Sequence, residues 1–531
     1  MPAISFHGRN FIGYSKSAEG SELFTAVNPA SGLPLPAPFH TATDGEVDRA
    51  VRLAKASLQI PVYFAQRVDF LEAIATNLAE LDDNWLDIAR KETGLTRERL
   101  VSERTRTIDQ LRLFARLVAE GSWVDARIDL ADPRRAPIPK PDFRRMLTAI
   151  GPVAVFGASN FPFAYSVAGG DTVSAFAAGN PVIVKGHPAH PGTSELAASA
   201  IVDAAKAIGM PDGTFSMLHG GNHVGIGLIR HDDLAAAGFT GSVAGGRALL
   251  VAAGARARPI PVHAEMGSTN PVFLLPDALE ARGSQIAVDL AQSVCLGVGQ
   301  YCTNPGLVIG IEGPDLHSFR ESLSKQVIQA PPGVMLTAGI HHKYLADVER
   351  WEHFGANSAH PIQGLDLPGT RVGSSVYEIS AKSFLANHQL TDEVFGPATL
   401  LVICANRSEL LAIANALPGQ LTATIHGELT ELKSYSDLIH SLSACVGRLI
   451  FNGYPTSVEV TLAMNHGGPY PASSDVRFTS VGTAAIYRFA RPLCYQNAPD
   501  EQLPLELQNS NPRKIKRLVD GIYTAAALPA K

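Results

Sequence analysis

Apolar positions recur at three- and four-residue steps through the first hundred residues, the spacing of helices with one buried face. Thr43-x-x-Glu46 has the spacing of a capping box, and Val47, Val51, Ala54 and Leu58 follow on one face. Leu71, Ile74, Leu78, Leu81, Trp85 and Ile88 predict one longer helix that stops before Gly94. These positions predict core packing and carry no chemistry. Between Asp125 and Phe143 the texture becomes Pro- and Arg-rich, RIDLADPRRAPIPKPDFRR. That stretch reads as an exposed linker or as an extended strand pair packed on a partner subunit. From Leu147 to Gly267 short apolar runs alternate with helical ones: AIGPVAVFG, NPVIVKG, GTFSMLHG, LAAAGFTG and PIPVHAEMG. This alternation predicts a parallel α/β sheet with helices on both faces, whose ligands sit beyond the carboxyl ends of the strands. A second α/β region spans Ser268 to Tyr454, with strands in PGLVIGI and PATLLVIC. The chain then turns Gly/Pro/Ser-rich (HGGPYPASSD), enters a mixed strand, AAIYRFARPLCYQ, and ends in a polar stretch that predicts a surface helix or tail.

Composition narrows the function classes. At about 150 residues per domain, 531 residues suggest three or four domains, or fewer large ones. Lys and Arg total 44 against 50 Asp and Glu, a net charge of −6 without a basic block, which argues against a nucleic-acid surface. Five cysteines are an odd number without C-x-x-C spacing, which disfavours a disulfide framework and a four-cysteine zinc site. No metal site is expected, and a single reactive thiol remains open. The uncharged stretch Leu147 to Gly170 has the length of a membrane span, but Pro152, Pro162, Asn160 and several glycines break it. A buried strand, a loop and a following helix fit it better. The opening MPAISFHGRNFIG has neither an apolar signal core nor a cleavage site, so a cytoplasmic protein without a membrane partner is expected.

Three places offer chemistry. The first strand-helix turn, GASNFPFA, lacks G-x-G-x-x-G, so the usual dinucleotide fingerprint cannot be invoked. In FTGSVAGGRAL, Gly241, Ser242 and Gly246 surround a helix start that could hold a pyrophosphate, and equally could form a plain turn. Cys302 sits in GVGQYCTNPG, where a tight loop could present a nucleophilic thiol; the alternative is a buried structural cysteine, the reading given to Cys295. Glu265 in HAEMGSTNP ends an apolar strand, a position for a general base or for a solvated loop acid.

Taken together, ASNFPFA, VIVKGHPAHPGTSEL, FTGSVAGGRAL, HAEMGSTNP, GQYCTNPG and EVFGPATL resemble the aldehyde dehydrogenase superfamily over residues 5 to 510. At finer grain KGHPAHPGTSE, PIPVHAEMGSTNPVFLLPDAL, MNHGGPYPASSD and SVGTAAIYRFARPLCYQ resemble the 2,5-dioxopentanoate (α-ketoglutaric semialdehyde) dehydrogenases. The resemblance implies an α/β fold with a Rossmann-type cofactor domain (1–124 and 146–266), an α/β catalytic domain (267–481) and a β-strand oligomerisation arm (125–145 and 482–498), followed by a tail (499–531). The arm would leave an open strand edge, so a homodimer or homotetramer is expected.

The resemblance also implies roles. Cys302 would attack the aldehyde to give a thiohemiacetal, Asn160 and the Cys302 N–H would hold the oxyanion, and Glu265 would activate water against the thioester. That base favours a free carboxylate over transfer to a thiol. Glu393 would hold the nicotinamide ribose with Phe395 near the ring, Gly241, Ser242 and Gly246 would face the pyrophosphate, and Lys185 the adenosine ribose. NAD-preferring relatives often carry a glutamate three residues after that lysine. Here the position is Pro188, so NADP is the expected cofactor with NAD as a second choice, and His187 and His190 are candidates to assist. The most suitable substrate is 2,5-dioxopentanoate, with medium or long aliphatic aldehydes as the alternative; a thiol esterase and a non-catalytic scaffold are readings from other classes. Arg477 and Gln300 are candidates to meet the substrate carboxylate.

Overall fold

A computed structural model describes residues 6–81, 83–358, 360, 362–456 and 458–528. The predicted capping box forms: Thr43 Oγ1 accepts from Glu46 N (3.2 Å), and a Glu46 carboxylate oxygen accepts from Thr43 N (2.8 Å). It opens the helix Asp44–Ser57, which buries Val47, Val51 and Ala54, whereas Leu58 lies just past its end and is exposed. The long helix expected next is two helices, Phe64–Glu80 and Asp83–Thr93. Leu81 leaves helical geometry at ψ 118°, so the chain changes direction before Trp85. Trp85 then stacks on Phe163 at 4.1 Å and donates its indole N–H to Thr193 O (3.2 Å). A buried indole needs such an acceptor, which a single straight helix would not have had to supply.

The first sheet has the order Val262–Glu265, Ala236–Thr240, Val153–Phe156, Val182–Lys185, Phe215–Leu218, Asn10–Ile12, Ser15–Ser17. The first five strands run parallel, are buried along most of their length, and are flanked by helices. Short Val/Ile/Ala runs suit strands covered on both faces. The register sets Phe156 beside Lys185 and Phe239, and Thr240 beside Glu265. The carboxyl ends therefore share one edge of the sheet, and the chemistry-bearing side chains emerge there.

A second sheet has the order Asn357–Ser358, Ser375–Ser380, Ala398–Cys404, Leu307–Ile311, Val272–Leu274, Gln420–His426, Val446–Phe451, parallel except for its first strand. The loop carrying Cys302 enters it just before Leu307. Between the two sheets the chain crosses at residues 266–271, so Glu265 ends the first sheet and the second begins a few residues later.

The third sheet takes strands from both expected arm segments: Arg127–Asp129, Phe143–Ala149 and Ala490–Gln496. Part of 482–498 differs from expectation, since Thr483–Phe489 is 3-10 helix and only the rest is strand. The polar end of the chain differs more. Arg517–Val519 pairs parallel with Arg127–Asp129, and Ile522–Thr524 extends the sheet by one antiparallel strand. Arg517 is fully buried there and donates to Gln508 O (2.5 Å) and Ala526 O (3.1 Å). Local polarity suggested a tail because the pairing that orders it is with residues near 128. No helix among the described residues is long and apolar enough to cross a membrane.

A buried ion pair links the first sheet to this arm. Arg488, in the 3-10 segment, meets Asp171, in the first turn of the helix Gly170–Ala178, at 2.6 Å. Removing one partner of such a pair strands the other charge in low dielectric. Arg488→Met is expected to destabilise the fold by about 3–5 kcal/mol in urea unfolding. Adding Asp171→Asn should recover part of that loss.

Candidate active site

The turn that presents Cys302 is built from strained backbone. After the helix Pro276–Cys295 come Gly297, Val298 and Gly299 at φ 56°, 59° and 64°. A β-branched residue in the left-handed region costs of order 1–3 kcal/mol and persists only where its surroundings impose it. Here they do. A Cβ at Gly299 would stand 2.1 Å from Gly396 O, so the loop rests directly on backbone. Asn270, fully buried at φ 47°, donates its amide to Cys302 O (2.9 Å) and Asn304 O (2.8 Å). Its oxygen accepts from Ser268 Oγ (2.9 Å) and Thr422 Oγ1 (3.0 Å). One side chain thus ties the thiol turn to the strand Gln420–His426 and to the crossing at 266–271.

Beside Cys302 stands a residue that sequence reasoning passed over. His466 Nε2 lies 3.4 Å from Cys302 Sγ and 3.5 Å from Glu265 Oε1. The three side chains come from three distant stretches, and their polar atoms fall within 4.8 Å of one another. Glu265 and His466 are buried. Glu265 Oε2 accepts from Ser480 Oγ, while Oε1 has no hydrogen-bond partner. The His466 backbone is pinned: its N–H donates to Thr479 Oγ1 (2.8 Å) and its carbonyl accepts from Ser480 N (2.8 Å). The signal for His466 was present, a lone histidine before Gly-Gly in MNHGGPYPASSD, but nothing local says that it faces a thiol.

Burial sets the electrostatics of this group. It pushes the Cys302 thiol well above its ordinary value, with the negative charges of Glu265 and Glu393 adding to the effect, so the thiol is protonated at rest. It lowers His466 to about 3, which leaves the imidazole neutral, with Nε2 placed to accept a hydrogen bond from the thiol. It raises Glu265 to about 7, with Asp171 adding to the rise and Ser480, Arg488 and Arg106 opposing it. A thiol that must lose its proton therefore has a neutral base in reach and a second acid-base group poised near neutrality.

Asn160 approaches the same turn from the first sheet. Its amide donates to Gln300 O (3.0 Å), two residues before Cys302. Its loop is held by Glu103, whose buried carboxylate accepts from Phe163 N and Ala164 N (both 2.9 Å) and pairs with Arg99 (2.9 Å).

A family model described as the aldehyde dehydrogenase family matches residues 14–474. This chain belongs to that family. It is 48% identical to alpha-ketoglutaric semialdehyde dehydrogenase 2 of Azospirillum brasilense, over 97% of this chain and 99% of that protein. It is 42% identical to alpha-ketoglutaric semialdehyde dehydrogenase of Acinetobacter baylyi, over 98% and 99% of the two chains. Among solved structures, gamma-glutamyl-gamma-aminobutyraldehyde dehydrogenase of Burkholderia cenocepacia superposes with a TM-score of 0.79 at 20% identity, covering 93% and 97% of the chains, a likeness of fold. The chain is an aldehyde dehydrogenase: it oxidises an aldehyde with NAD(P) through a cysteine.

The edge of the first sheet suits a dinucleotide. Lys185 ends its strand almost fully buried, lowered to about 8 by burial alone, and among the described residues no carboxylate pairs with it. A buried unpaired ammonium fits an anionic ligand. Ser242 caps the helix Val243–Gly254 by accepting from Gly245 N (3.1 Å), and with Gly241 it lies exposed at that terminus. Gly246 is placed differently from the expectation. It is buried, its N–H is committed to Ser242 O (3.0 Å), and a Cβ there would meet Met266 Sδ at 2.5 Å. It sets how closely helix and strand pack, whereas Gly241 and Ser242 stay open at the helix start. Glu393 is raised to about 8 by burial and lies so close to Gly267 that a Cβ would touch its carboxylate at 2.5 Å. With Phe395 it lines a small cavity that Gly299, Ser268 and Thr269 also line. The close approach of Glu393 to the bare backbone of Gly267, and the open helix end, are features that suit a bound dinucleotide.

Other candidates fall away from the site. Arg477 is exposed and paired with Asp475 at 2.5 Å. The Gln300 side chain accepts from Leu336 N (2.9 Å) and donates to Gly297 O (3.2 Å), so it braces the loop. His190 is fully buried with both ring nitrogens engaged, at Ala158 O (2.9 Å) and Ser194 Oγ (3.2 Å), which removes it as a phosphate ligand. All five cysteines are free, and Cys494 lies exposed on an arm strand. His466→Asn is expected to slow alkylation of Cys302 by iodoacetamide at pH 7 by at least about tenfold, the low end of proton-transfer effects. Second-order labelling rates measured against wild type check it.

Proposed function

We propose that this enzyme oxidises 2,5-dioxopentanoate to 2-oxoglutarate, with NADP preferred over NAD, as a cytoplasmic homodimer or homotetramer. The observation that carries the reading is the likeness, over nearly the whole of each chain, to two alpha-ketoglutaric semialdehyde dehydrogenases. The cofactor preference is supported by the exposed Pro188 three residues after Lys185, where no carboxylate opposes a 2′-phosphate. The assembly is supported by the open edge of the arm sheet, where Ile522 and Tyr523 are largely exposed. Free thiols throughout accord with a reducing compartment.

In this reading His466 Nε2 takes the proton of the Cys302 thiol as the sulfur bonds to the aldehyde carbon. The new oxyanion accepts from the second amide hydrogen of Asn160 and from the Cys302 N–H, donors already fixed in place. The nicotinamide, when bound, supplies the acceptor for the hydride. Gly241 and Ser242 hold its pyrophosphate, Lys185 the adenosine ribose, and Glu393 and Phe395 the nicotinamide end. Cys302 is then a thioester, and Glu265 Oε1, the oxygen without a partner, takes a proton from the attacking water. The C–S bond breaks and the carboxylate leaves, the sulfur regains its proton from His466, and Glu265 and the new carboxyl group release theirs to solvent.

Two measurements test this. NADPH and NADH formation with 2,5-dioxopentanoate, shorter semialdehydes and hexanal or longer aldehydes should show the highest kcat/KM for the dioxo acid with NADP, and none in Cys302→Ala. Saturation by long aldehydes with no turnover of the dioxo acid would sink the substrate. Because Glu265 must be deprotonated to act and sits near 7, kcat limited by deacylation should rise with pH through about 7 and level off above it. Glu265→Gln should lose that limb, slow turnover by about 10²-fold or more, and leave a burst of reduced cofactor.

A further inference from the structure

Three arginines and a tyrosine crowd the wall of the site between the helix Arg97–Glu120 and the Cys302 turn, and they are not equivalent. Arg99 is spent: it pairs with Glu103, reaches Asn160 O (3.4 Å), and stacks on Phe161 at 4.3 Å and Tyr301 at 5.0 Å. Arg448, on the last strand of the second sheet, donates to Pro455 O (2.8 Å) and abuts Met464 Sδ. Arg106 differs. Its single hydrogen bond is from Nη2 to the phenolic oxygen of Tyr165 (3.0 Å), a neutral partner. Unlike Arg99, it forms no ion pair among the described residues; its buried Nε, like that of Arg99, has no acceptor. A half-buried guanidinium with donors to spare is a costly arrangement unless something anionic completes it.

We propose that Arg106, with the Tyr165 hydroxyl, binds the carboxylate of the oxo-acid substrate and selects for acidic over neutral aldehydes. The inference rests on the substrate reading above. A five-carbon substrate places its carboxylate only about 5 Å from the aldehyde carbon, across four bonds of about 1.5 Å. The cation that receives it must therefore sit close to the nucleophile. Arg106 does: it lies against Phe161, whose ring packs at 5.6 Å on Tyr301, the residue before Cys302. Its ring contacts with Tyr165 at 5.4 Å and Phe161 at 5.9 Å fix the plane of the guanidinium. Tyr165, which accepts from Arg106, keeps its own hydrogen to donate to a carboxylate or 2-oxo oxygen. Burial raises the Tyr165 phenol, so it stays protonated at neutral pH.

The test compares kcat/KM for 2,5-dioxopentanoate and for pentanal, which has the same carbon count and no carboxylate. Wild type, Arg106→Met, Arg106→Lys and Arg477→Ala are measured side by side. In Arg106→Met the acid-to-neutral ratio should fall by about 100-fold through KM for the acid, the scale of a lost charge-assisted pair. Arg106→Lys, which keeps the charge and not the fork, should lie between. Arg477→Ala, exposed and paired elsewhere, should leave the ratio unchanged. If wild type does not distinguish the two aldehydes, the substrate reading fails. If wild type prefers the acid and the ratio is unmoved in both Arg106 variants, the role of Arg106 fails alone.

Discussion

A partly buried thiol in van der Waals reach of a buried imidazole, which in turn lies against a buried carboxylate, is the constraint around which this enzyme is arranged. Cys302 Sγ, His466 Nε2 and Glu265 Oε1 meet at 3.4 and 3.5 Å. Each is unfavourable where it is. The thiol resists ionisation, the imidazole resists protonation, and one carboxylate oxygen goes without a hydrogen bond. Buried polar groups left partly unsatisfied are costly, so the scaffold must hold them against relaxation. What the arrangement offers in return is one carboxyl, Glu265, brought to about 7 beside a thiol and an imidazole that are both neutral at rest.

The holding is done by amides, carboxylates and backbone rather than by apolar packing. Asn270 grips two carbonyls of the thiol turn, Glu103 grips two N–H groups of the Asn160 loop, and Thr479 and Ser480 grip the backbone of His466. Each clamp is buried and drawn from a different element, so the three loops are positioned independently on two sheets. The left-handed run at 297–299 is tolerated because the loop has Gly396 beneath it and Asn270 beside it. Position, more than intrinsic reactivity, makes this cysteine different from the other four.

Much of this was legible one stretch at a time. The capping box at Thr43, the apolar strands of both sheets and the break-up of the uncharged stretch 147–170 follow from local pattern, because caps, strand periods and prolines act over a few residues. Cys302, Glu265 and Asn160 were reached through the company their motifs keep. Three things were misread for a shared reason. The one long helix is two, and Trp85 in the second meets its acceptor at Thr193; the polar terminal stretch carries two strands, one paired with residues near 128; and Gly246 is buried against Met266 with its N–H on Ser242 O. In each case the deciding contact lies far away along the chain.

The sequence by itself determined the class of fold and the two α/β sheets, since these depend on short-range periodicity, and its motifs taken together carried the family resemblance that singled out Cys302 and Glu265. Only the tertiary structure decided which groups surround the thiol. It brought His466 from a loop with no distinguishing pattern, turned Arg106 rather than Arg477 toward the site, and spent Gln300 and His190 on internal bonds. A side chain's partners are set by where sheets and helices pack, and that packing joins residues hundreds of positions apart, beyond the reach of any local pattern.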